Sequence, residues 1–177
     1  MTPLGHAGIS LLLGVGLTKV VNGVDPTLIL GSVVAGGISL DLDLLYSFYK
    51  RGFKALDIKA GSHRFYPTHT PLFATILGLT VALFNFEMGL FFLVGALIHL
   101  ILDTLFFPEG INFTYPINKQ RVTLFTVKSN NKFLTPKPIA GVENWKRNYL
   151  TSLLFWLFEF IPTLLAIALA TPILYKA

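Results

Sequence analysis

The chain has 177 residues, 53% of them hydrophobic and only 13% charged, and its mean hydropathy is +0.66. That balance lies outside the range of soluble globular domains and makes a membrane the natural solvent. The absence of cysteine excludes disulfides and thiolate metal sites, so His, Asp and Glu are the strong ligands left, while the formal charge of +5 admits either nucleic acid or anionic lipid until the basic residues are placed.

Apolar residues come as unbroken runs, not as the 3.6-residue stripes of half-buried helices. Five runs approach the roughly 20 residues a spanning helix needs: Pro3 to Val21, Thr27 to Tyr49, Thr70 to Phe86, Met88 to Phe107, and Thr151 to Tyr175. The first carries Gly5, His6 and Lys19 without a basic leader, so it is expected to remain in the mature protein. Turn residues Asn22, Gly23, Asp25 and Pro26, and later Asn85, Glu87 and Gly89, fold the first and second runs and the third and fourth runs into hairpins whose tips share one side.

The opposite side receives the basic residues. Loop 50–69 holds Lys50, Arg51, Lys54, Lys59 and Arg64, and loop 108–150 holds Lys119, Arg121, Lys128, Lys132, Lys137, Lys146 and Arg147, leaving only Lys19 and Lys176 elsewhere. Such loops are cytoplasmic, which puts the N-terminus inside and the C-terminus outside. The positive charge therefore flanks a lipid bilayer, and no nucleic acid partner is expected. Arg121 to Val127, followed by Ser129, Asn130 and Asn131, reads as a strand entering a hairpin turn. The expected fold is a single all-α integral membrane domain over residues 1–177, with about five transmembrane helices and a small cytoplasmic β element between the fourth and fifth.

This topology brings all four histidines, His6, His63, His69 and His99, to the cytoplasmic membrane face. His6 lies in the first turn of the first run, Asp41 and Asp43 near the inner end of the second, His69 at the start of the third, and His99 and Asp103 near the inner end of the fourth. His99 and Asp103, four apart, share one helix face, as when a single helix supplies two metal ligands. Asp41 and Asp43, two apart, cannot share a face of a regular helix, so Asp43 is expected to point at the site while Asp41 orients a ligand or caps an irregular turn that Gly36 and Gly37 tolerate.

Any one of these residues can be explained as a polar contact between helices. The set is harder to explain that way, because burying three carboxylates beside neutral histidines needs compensating charge and no Lys or Arg lies in the second, third or fourth run. One or two divalent ions supply it, and His/Asp ligation without thiolate suits Zn²⁺, Mn²⁺ or Fe²⁺. Arg64, beside His63 and close to His69, is placed to hold a phosphate or carboxylate oxygen. Glu159 in the last run matches His99 in depth and is a candidate general base or partner of a ligand.

Thr2-Pro-Leu-Gly-His6, Gly37-Ile-Ser-Leu-Asp41-Leu-Asp43, His63-Arg64 with Thr68-His69-Thr70, and Gly95-Ala-Leu-Ile-His99-Leu-Ile-Leu-Asp103 followed by Gly110 and Tyr115-Pro116 together resemble the YdjM family of inner-membrane proteins, described as metal-dependent hydrolases. The order His, Asp, His, then His-x-x-x-Asp is more distantly similar to the zinc-dependent phospholipase C and nuclease superfamily, which implies His6, Asp43, His69, His99 and Asp103 as ligands. The expected function is a membrane-embedded metal-dependent hydrolase of a phosphoester, such as a phospholipid, with Arg64, His63 and Glu159 as candidate catalytic residues around metal-activated water. The alternative is a cation transporter using the same cluster, and a structural protein with an inert metal site is the third reading.

Overall fold

The computed structural model describes residues 2–52, 66–106, 111–117 and 153–175. In chain order the helices are α1 (Pro3–Val20), α2 (Pro26–Ser39), α3 (Leu42–Arg51), α4 (Pro71–Ala82), α5 (Phe86–Phe106), α6 (Leu153–Phe155) and α7 (Ile161–Leu174), the last two joined by a π-helical turn over Trp156–Phe160. There is no β-strand among the described residues, and the β element expected between residues 108 and 150 lies outside them.

Three of the starts are written locally as a capping side chain followed by proline, whose fixed φ suits the first helical position. Thr2 accepts from Gly5 N–H, Asp25 from Thr27 N–H, and Thr70 from Phe73 N–H. Asn85 does the same for α5 without a proline, accepting from Met88 N–H at 2.8 Å.

Among the described residues, four segments are long and apolar enough to cross a membrane: Pro3–Val20, Pro26–Arg51, Phe86–Leu105 and Trp156–Leu174. The third run of the sequence yields only α4, because the helix ends at Ala82 and the chain reverses at 83–85. Its 12 residues reach about 18 Å, short of a hydrocarbon core of about 30 Å. The second run is also interrupted. Asp41 N–H bonds to Ile38 O and Leu44 N–H to Asp41 O, each a tight three-residue step, and Leu40 is buried at the break. Beyond it α3 is two-sided: Leu42, Leu45, Tyr46 and Tyr49 are exposed on one face while Ser47 is fully buried on the other.

Small residues bring the backbones together where lipid offers no hydrophobic drive. A Cβ on Gly36 would overlap the Phe92 carbonyl, and one on Gly95 the Val33 carbonyl, so α2 and α5 touch main chain to main chain. Gly8 of α1 leaves room for the Thr163 hydroxyl and Cα of α7. The molecule is inverted relative to a soluble protein. Its fully buried side chains include His6, His69, His99, Asp103 and Glu159, while Ile76, Leu79, Phe84, Ile101, Ile161 and Leu165 are exposed. Such a surface is stable against acyl chains and not against water.

Candidate metal centre

At about 1.5 Å per residue, His6 stands roughly 21 Å from the far end of α1, Gly37 about 17 Å from the start of α2, and His99 about 20 Å from the start of α5. α4 is long enough to reach the same layer, and its short length is what sets His69 there. With the hairpin turns at one boundary of a ~30 Å core, the layer lies roughly 8–13 Å beneath the other.

The orientation of the two central imidazoles follows from their Nδ1 partners. His99 Nδ1 lies 2.7 Å from the Gly37 carbonyl oxygen. A carbonyl only accepts, so Nδ1 carries the proton and Nε2 is left as a lone pair. His69 Nδ1 lies 2.9 Å from Asp43 Oδ2, an oxygen that also accepts from the Thr68 hydroxyl, and its Nε2 faces Asp41 and Asp103. These two Nε2 atoms stand 3.3 Å apart. Asp41 Oδ1 is 3.6 Å from His69 Nε2 and 3.8 Å from His99 Nε2, and Asp103 Oδ2 is 3.9 and 3.6 Å from the same atoms.

Two ring nitrogens and two carboxylate oxygens thus converge in a buried place, where a cation among them offsets the carboxylate charge. A tetrahedral ion with ligands at 2.0–2.1 Å separates them by about 3.3–3.4 Å, close to the five spacings above. The donor set and its spacing therefore fit a divalent ion. Among the described residues, His6 with Asp41 and His99, and His69 with His99 and Asp103, bring three ligand atoms within 4.8 Å of one another. Both draw on His99, whose Nδ1 is committed to Gly37, so one nitrogen must serve either group.

His6 completes the cluster from α1. Its ring stacks on His99 at 3.7 Å between centroids, and its Nε2 lies 3.2 Å from Asp103 Oδ1. Its Nδ1 is buried with no hydrogen-bond partner among the described residues.

Of the two aspartates, the one expected behind the site is the one at its centre: Asp41 reaches both Nε2 atoms, and Asp43 sits behind His69. The break at Leu40 is the cause, because it turns residue 41 inward and leaves residue 43 on the first turn of α3. Glu159 is fully buried but its carboxylate meets Thr2, accepting from Thr2 N–H at 2.9 Å and from the Thr2 hydroxyl. His63 and Arg64 lie outside the described residues. Sequence reasoning assigned no role to the Gly37 carbonyl or the Thr68 hydroxyl. A main-chain acceptor leaves no mark in residue identity, and Thr68 was legible only as the neighbour of His69.

A multi-pass helical membrane protein with a buried His/Asp cluster toward one end of its bundle is the class that this fold and site define. The chain belongs to the YdjM inner membrane protein family, whose model matches residues 1–173. No curated protein and no solved structure matches it.

Proposed function

We propose that this protein is a membrane-embedded, metal-dependent phosphoester hydrolase whose site opens to the cytoplasmic face. The observation that carries the reading is the convergence of His69 Nε2 and His99 Nε2, 3.3 Å apart, with the buried carboxylates of Asp41 and Asp103. His69, His99, Asp41 and Asp103 would hold one divalent ion, Zn²⁺ by donor type, with Mn²⁺ or Fe²⁺ as alternatives. Bound there, the ion supplies Lewis acidity and lowers the pKa of water toward neutrality.

The chain's own residues do the rest. Asp43 and the Gly37 carbonyl hold Nδ1 of the two rings, which keeps each Nε2 aimed inward. His6, held on Asp103 through Nε2, presents a bare Nδ1 that can take a proton from attacking water. Arg64 is proposed to hold the phosphoryl oxygens, since a guanidinium matches them two at a time. The concentration of basic residues in the two loops supports a cytoplasmic N-terminus and site.

The purified protein should carry about one divalent ion per chain by elemental analysis. It should also hydrolyse at least one member of a phosphoester panel that includes phospholipids, lose that activity to a chelator and regain it on metal return. Protein without stoichiometric metal, or hydrolysis indifferent to chelation, would sink the proposal. The break between α2 and α3 at the site favours the transport reading, since transporters bind ions on discontinuous helices. Metal flux into liposomes without hydrolysis would establish that alternative.

A further inference from the structure

Glu159 is a fully buried carboxylate in a membrane helix, and its two oxygens take both donors of one residue, Thr2 N–H and Thr2 O–H. Thr2 is the N-cap of α1: its hydroxyl oxygen accepts from Gly5 N–H at 3.3 Å and its carbonyl from His6 N–H at 3.1 Å. His6 in turn stands on Asp103. Hydrogen bonds joined by the covalent frame of Thr2 and His6 therefore form a line from the last helix to the cluster. It passes through the first turn of α1, whose unpaired N–H groups and dipole favour an anion.

The local backbone on the Glu159 side is unusual. The π-helical turn over Trp156–Phe160 departs from the α ladder on which the flanking helices run, and such single turns cost stability and occur mostly at functional sites. Thr163 donates its hydroxyl to the Glu159 carbonyl at 2.5 Å, and Gly8 leaves room for Thr163 against α1. The widened turn and the close helix contact together bring the Glu159 carboxylate to Thr2.

We propose that Glu159 is a positioning residue of the metal centre: it sets the first turn of α1 and, through Thr2, holds His6 on Asp103. The proposal rests on the metal reading above. It differs from a general-base role in that Glu159 acts through His6.

The test uses full-length protein in lipid nanodiscs, labelled with ¹⁵N-histidine and stripped of metal, with Co²⁺ as the probe. Glu159→Gln keeps the size but offers the Thr2 donors a single acceptor oxygen. It should move the ring signals of His6, leave those of His69 in place, and weaken Co²⁺ binding about tenfold or more, the scale of a lost partner behind a ligand. Thr2→Ser retains both donors and should match the parent, whereas Thr2→Val should reproduce Glu159→Gln. Thr2→Val also carries the test if the Glu159 variant does not fold. Unmoved His6 signals, or equal shifts of all the histidines with a general loss of stability, would overturn the proposal. If the parent itself binds no Co²⁺ the metal reading fails, and the His6 signals of the stripped protein still decide whether Glu159 holds that ring.

Discussion

Gly95→Ala offers a test of how tightly the site depends on the packing of α2 against α5. A methyl on residue 95 would overlap the Val33 carbonyl oxygen, and both belong to main chain that cannot rotate away. A carbon and a carbonyl oxygen need about 3.3 Å, so the helices must part by roughly 1 Å. The Gly37 carbonyl lies one turn along the same contact and holds His99 Nδ1 at 2.7 Å. Adding ~1 Å takes that pair beyond the ~3.2 Å limit of a good hydrogen bond, and His99 loses the partner that fixes its tautomer. Overpacking should lower stability by about 1–3 kcal/mol. Metal affinity should fall by roughly 10–100-fold, as for a lost partner behind a ligand. Thermal unfolding in detergent and competition against a chelating dye measure the two effects. Gly31→Ala is the control, since a methyl there meets nothing within 4 Å. If Gly95→Ala bound metal as the Gly31 variant does, the dependence of His99 on the close helix contact would be refuted.

Removing His99 with alanine should weaken metal binding by about 10²–10³-fold, one ligand's share of a four-ligand site, and Asp43→Asn by only about 10–100-fold, with both proteins still inserted. A chelator titration giving the reverse order would place Asp43 on the ion. Thr70→Ala removes the cap of α4 and a hydroxyl bond to Pro67 O at 2.7 Å, and should cost about 1 kcal/mol of stability by denaturant titration. It should also loosen His69, which precedes it. At the opposite end, hydrogen bonds from the Thr27 hydroxyl and backbone hold the Asp25 carboxyl below its ordinary 3.8. A depressed carboxyl stabilises the fold above that pH and loses its effect as pH falls through the lowered value. Asp25→Asn should therefore flatten the acid limb of a stability profile, and an unchanged limb would show that the cap is idle.

The composition and the length of the apolar runs were enough to determine a multi-pass helical membrane protein. Lipid cannot hydrogen-bond a backbone, so a long apolar run has little choice but to become a helix. The helix starts were equally local: Thr2-Pro3, Asp25-Pro26 and Thr70-Pro71 each carry the capping group and the fixed φ in adjacent residues. The i, i+4 spacing of His99 and Asp103 likewise placed both on one face before any partner was known. Hydropathy alone did not show where a run stops being one straight helix. It averages over a window, and neither the break at Leu40 nor the early end of α4 at Ala82 changes that average much. Those two interruptions exchanged the positions expected for Asp41 and Asp43 and set His69 opposite His99. Only the tertiary structure decided which nitrogen of each central histidine faces the cluster, because that depends on a carbonyl at residue 37 and a carboxylate at residue 43, each contributed by a different helix from the ring it holds. The place of Glu159 was beyond sequence for the same reason: its partner is 157 residues away, and only the packing of α1 against α7 brings the two together.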